Sequence, residues 1–201
     1  LTPPAMPLDF SVVATTQISG LSTGLIASLT TSQIAGISTV QMGLFTSTQI
    51  RSFTTGSLSS LSTLQLAAFN SAQVEALLTG QAQVLTTAQI GSLSTSQLLG
   101  LNTASLVALR TEQIRALNSS QVGALSSSQI SALTTQETQV LSTLQVAGIT
   151  SLQSPALTKS GLLALSTSQI RAVTTTALRA MSGVQLSGLA TLQFSSLSTS
   201  Q

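Results

Sequence analysis

The side chains able to do chemistry are few and scattered. Four carboxylates (Asp9, Glu75, Glu112 and Glu137) and one lysine, Lys159, carry what acid–base capacity there is, because the 201 residues include no His, Cys or Tyr. General acid–base or metal-assisted catalysis needs such groups to converge on one point. These lie far apart in sequence, and no zinc spacing, calcium loop or Gly-rich phosphate loop accompanies them. The many Ser and Thr hydroxyls have no base beside them to activate them. A solenoid could bring Glu112 near Lys159, but solvated surface charge is the expected role of both. Glu112 and Arg115 form an i,i+3 helix pair worth about 0.2–0.5 kcal/mol. The residues therefore predict no catalytic, cofactor-binding or metal site, no cofactor and no small-molecule substrate. An enzyme is not expected.

The elements that must position these residues follow one rule. Written in rows of eight from Val13, the chain aligns without insertion or deletion: Leu29-TTSQIAG, Leu61-STLQLAA, Leu93-STSQLLG, Leu165-STSQIRA. Twenty-three full units reach Ser196, and a partial unit runs from Leu197 to Gln201. The consensus is L-[S/T]-T-x-Q-[I/L/V]-x-[A/G/S]. Column one is always large and apolar, column six nearly so, with exceptions at Ala82, Thr138 and Ser154. Arg51, Glu75, Arg115, Arg171 and Arg179 share column seven, and Glu112 stands in column four, which marks those columns as the solvated face. Arg110, Glu137 and Lys159 break this pattern.

The spacing predicts helices. A Ser, Thr or Asn in column two and a Gln three residues later have capping-box spacing, in which hydroxyl and amide each satisfy a backbone N–H at a helix start. Thr30/Gln33, Ser94/Gln97, Asn118/Gln121 and Ser166/Gln169 are examples. Columns six and one are then three apart on one helical face, and columns four and seven on another. A strand would place columns one and six on opposite faces. The expected fold is all-α, a solenoid of very short helices, one per octad, held by nearest-neighbour contacts because a helix of about six residues cannot persist alone. A β-solenoid or cross-β fibre is the alternative. Residues 1–12, with Pro3, Pro4 and Pro7, are expected to form an extended arm or linker, and 13–201 the solenoid. Pro155, inside a helical position, predicts a distorted turn over 150–161.

Composition narrows the partners. Only 5% of residues are charged and 2% aromatic, and no Lys/Arg cluster is present, which argues against nucleic acid. No apolar run approaches the ~18 residues that span a bilayer. The opening residues have neither an initiator Met nor a signal-peptide core, so either a leader has been removed or the chain is a segment of something longer. Columns two and three, nearly all Ser or Thr, could present an ice-binding array on a flat sheet, but helix capping accounts for the hydroxyls and for the Gln together.

The phrase L-[T/S]-T-x-Q-I-x-A-L, from position 13 to 201, resembles the short repeats of long, low-complexity secreted or surface proteins of proteobacteria, often described as adhesion or haem-utilisation proteins. The resemblance implies an extracellular or cell-surface, structural or adhesive role. It does not extend to haem, since His, Cys and Tyr are missing as ligands. The expected function is a filament or surface fibre built by solenoid stacking, with the chain itself as partner. A soluble binding module is the alternative.

Overall fold

The computed structural model describes residues 8–201. Twenty-one α-helices and two 3-10 helices follow one another, none longer than six residues, and no strand occurs among the described residues. The architecture is the all-α solenoid; the β alternative falls.

The α-helical octads fold by the same local logic. In the unit from Leu93, the column-one residue is extended (φ −63°, ψ 135°) and Ser94 in column two is the N-cap. The helix Thr95–Gly100 then carries Gln97 and Leu98 inward. The Ser94 N–H donates to Gln97 Oε1 at 2.8 Å and the Gln97 N–H to Ser94 Oγ at 3.2 Å, which closes the capping box. The predicted boxes at Thr30/Gln33, Asn118/Gln121 and Ser166/Gln169 form too. At Leu78, Arg110 and Ala190 no hydroxyl is available, and only the Gln half is made, at 2.7–2.9 Å. The helix still starts, so the hydroxyl refines the cap rather than creating it. Ser126→Ala, which removes the acceptor 3.1 Å from the Gln129 N–H, should accordingly cost about 1 kcal/mol. Equilibrium denaturation measures it.

Packing takes place between turns of the superhelix. Ser71–Glu75 packs on Thr95–Gly100, that helix on Ser119–Ala124, and that one on Thr143–Ala147; each partner is the third unit along. This corrects the expectation that consecutive octads hold one another. A helix of five residues has one apolar stripe, and the superhelix turns that stripe inward, so the surface left for stacking meets the next turn. Backbone approach is closest at Gly100 and Gly148, where an added methyl would run into the carbonyls of Ser71 and Ser119. Small residues in column eight thus serve contacts between turns.

Columns one and six form a continuous core from Phe10 to Met181, with Ile18, Ile50, Leu85 and Leu98 fully enclosed. Phe45 and Phe53 meet edge to face at 5.2 Å. Column four is exposed in every unit, including the apolar Val40, Leu64 and Leu144.

Residues 1–7 of the expected arm lie outside the described residues. Leu8 to Val12 are already in register: Phe10 is buried in a column-six position, and its carbonyl is engaged as those of later units are. The distortion around Pro155 is confined to 151–156, where a turn and the 3-10 helix Ser154–Ala156 replace the α-helix. Lys159–Ala164 is a regular helix capped by Thr158.

Candidate functional site

Two arrangements stand out, one repeated throughout and one local. The first belongs to the column-five Gln. Its Oε1 caps its own helix, and its Nε2 reaches the previous turn. Gln89 Nε2 donates to the carbonyls of Leu58 (2.9 Å) and Leu61 (2.7 Å), 31 and 28 residues earlier. Gln49, Gln65, Gln73, Gln129, Gln145 and Gln193 repeat the pattern at 2.7–3.0 Å. These separations set the superhelical turn at between three and four octads. The amide is buried, 1% exposed at Gln89, and every polar atom of it is used. Each of these Gln is therefore a polar staple between turns, fully satisfied in the low-dielectric interior where an unmade bond is costly.

The capping-box reading missed this second role. The signal was in the residue choice: Glu and Gln serve a capping box equally, yet column five from 17 to 201 holds eighteen Gln and one Glu. A carboxylate can accept like the amide oxygen but has no N–H₂ to donate.

The second arrangement is where that one Glu sits. The helices Thr111–Arg115, Thr135–Gln139 and Lys159–Ala164 are stacked in consecutive turns. Together their units carry Arg110, Glu112, Arg115, Glu137 and Lys159, half of the ten charged residues. They also carry off-consensus residues that fall on one another: Arg110 for the capping hydroxyl, Glu137-Thr138 in columns five and six, Gly161 for a staple. Gly161 lies against Thr138, whose hydroxyl donates to the Thr134 carbonyl at 2.9 Å.

Glu137, a charge outside the solvated columns four and seven, is only 4% exposed. Its helix lies in the staple geometry, which points column five inward. Glu137 Oε2 takes the Thr134 N–H at 2.7 Å, as a Gln oxygen would. Oε1 is buried without a hydrogen-bond partner. Leu106 and Leu109, the residues 31 and 28 positions earlier whose counterparts accept from the Gln amides in other units, receive no hydrogen bond from the Glu137 carboxylate, which has no N–H₂ to donate. A cavity of about 470 Å³ opens beside it, lined by Val107, Leu109, Arg110, Glu112 and Gln136 among others.

The remaining predicted candidates are not brought into it. Glu112 and Lys159 do not meet, because the Thr135–Gln139 layer lies between them and the Lys159 stem runs over Gly188. Glu112 and Arg115 flank their helix at the ends its dipole favours. Glu75 is exposed at the end of Ser71–Glu75. Asp9 is exposed, its carboxyl held below the ordinary value by the Ser11 hydroxyl and by the Ser11 N–H at 2.9 Å. Among the described residues no group of three His, Cys, Asp or Glu could hold a metal ion, and no helix is long and apolar enough to cross a membrane.

No curated protein matches the chain. A family model described as the ALTTAQ repeat matches residues 100–135, a stretch that includes the lower layer of the charged stack, so over those residues this chain is similar to that repeat family.

Proposed function

We propose that this is a structural protein whose solenoid forms or extends a filament, as a surface fibre or stalk outside a bacterial cell. The observation that carries the reading is the staple ladder. Each turn presents a row of carbonyls and an apolar stripe that the following turn covers with Gln amides and aliphatic side chains, so one turn is a template for the next. Stacking that repeats without closing gives filaments, and a formal net charge of only +2 puts little repulsion in its way. The extracellular setting rests on the resemblance of the repeats to secreted and surface proteins. No enzymatic activity forms part of the proposal.

Cryo-electron microscopy of the purified chain over a concentration series tests it. Filaments in which the superhelical repeat runs unbroken across subunit boundaries are the expected result. Monodisperse short rods at every concentration would remove self-stacking. A soluble binding module would then be the better reading, and one observation already favours it: the off-consensus Arg110 and Glu137 line one cavity together with Glu112.

A further inference from the structure

We propose that the solenoid has a built-in joint: the seam between residues 133–156 and residues 157–180 opens before the seams on either side of it. The inference does not depend on filament formation. The seams differ in how many amides cross them. The units from 109 to 132 send Gln113, Gln121 and Gln129 to carbonyls of the previous turn. Those from 133 to 156 send Gln145 and Gln153, and those from 181 onward send Gln185, Gln193 and Gln201. The units from 157 to 180 send one alone. Gln169 Nε2 reaches the carbonyls of Gln139 and Leu141 at 3.1 and 2.6 Å. On either side of it column five holds Gly161 and Ala177, which have no side-chain donor.

The apolar half of the seam is thinned at the same two points. Column six lacks its large aliphatic at Ala82, Thr138 and Ser154, and two of these three face the missing amides. Thr138 lies against Gly161, its Oγ1 3.4 Å from where a Cβ would stand. That hydroxyl turns back to the Thr134 carbonyl at 2.9 Å, so it adds nothing across the seam. Ser154 gives a partial substitute, donating from Oγ to the Ala177 carbonyl at 2.7 Å. Pro155 weakens the contact further, because the element packed on Thr175–Ala180 is reduced to the 3-10 helix Ser154–Ala156. The backbone does not call for glycine at 161. No glycine among the described residues has a positive φ, and a Cβ at 161 would meet side-chain atoms of Thr158 and Thr138 only, the nearest at 3.1 Å.

The seam is closed at rest, with Leu157, Leu165, Ile170 and Val173 buried along it. Stability in stacked repeats is a sum of nearest-neighbour terms, so local opening starts where those terms are fewest. Opening here lets residues 8–156 and 157–201 swing apart and bares those aliphatic side chains. Gln185 marks where the two parts stay joined, since it holds the carbonyls of Ser154 and Leu157 on both sides of the chain link.

Native-state hydrogen exchange on the full chain tests the joint. Amides of Lys159–Ala164 and Thr175–Ala180 should exchange about tenfold faster than those of Ser119–Ala124 and Ser127–Ala132, relative to their intrinsic rates. Gly161→Gln combined with Ala177→Gln should remove the difference. The reverse graft, Gln73→Gly with Gln89→Ala around an intact Gln81, should create a second fast segment over 69–92, far from either end. Equal exchange of the four helices in the unaltered chain would overturn the proposal. So would fast exchange persisting in a folded Gly161→Gln/Ala177→Gln variant. Should that variant not fold, the graft decides alone: protection unchanged over 69–92 would mean that missing amides do not make a joint.

Discussion

Gln89→Ala should destabilise the solenoid by about 3–5 kcal/mol, an effect normally reserved for large apolar residues in a core. The substitution removes three hydrogen bonds at once: Thr86 N–H to Oε1 at 2.7 Å, and Nε2 to the carbonyls of Leu58 and Leu61. The side chain is 1% exposed, so water does not replace those partners without opening the seam. Each buried group left unmade costs about 1–3 kcal/mol, and the void adds to it. Gln89→Glu separates the two jobs of the residue. The carboxylate keeps the Thr86 cap and loses the donors to the previous turn, so its loss should arise at the seam. Because cooperativity in stacked repeats is limited by nearest-neighbour coupling, hydrogen exchange is the sharper readout. Gln89→Ala should deprotect the Thr86 amide and the turns on both sides, whereas Gln89→Glu should leave Thr86 protected. Wild-type stability in Gln89→Ala would mean that apolar stacking alone holds the turns together, and the staple would be decorative.

The opposite change is expected at the natural exception. Glu137→Gln should stabilise the chain by about 1–3 kcal/mol, since it supplies a buried orphan with the two bonds its neighbours already make. The backbone need not move: Oε2 already caps Thr134 at 2.7 Å, and Leu106 and Leu109 stand 31 and 28 residues earlier, the spacing of the acceptors of Gln89. A raised denaturation midpoint with slowed exchange over 134–141 is the expected measurement. A lower midpoint would show that the carboxylate has a partner which the amide cannot keep.

Much of the fold was legible in the sequence because the octad states its own local physics. The hydroxyl and Gln at N-cap and N3 spacing, the apolar columns three apart and the variable columns three apart all agree on a short helix. The structure places them accordingly at Ser94–Leu98 and throughout. Pro155 was legible as a local fault for the same reason: it removes an N–H that a helix would need. The staple was half legible. The near-exclusive use of Gln over Glu called for an N–H₂ donor, but the acceptor lies 28 or more residues away, beyond any local pattern.

By itself the sequence determined the unit: its length, its helix, its cap and the two columns that must be buried, since these follow from contacts within eight residues. Tertiary structure alone decided which units touch. The number of octads per turn is set by how short helices pack and by how far a Gln side chain reaches, so the third unit along, and not the next, became the partner. That same winding turned Glu137 inward and stacked it between Arg110 and Lys159, which sequence order keeps more than twenty residues away on either side. A repeat fixes what each position is made of. Only the pitch of the superhelix fixes which exceptions meet.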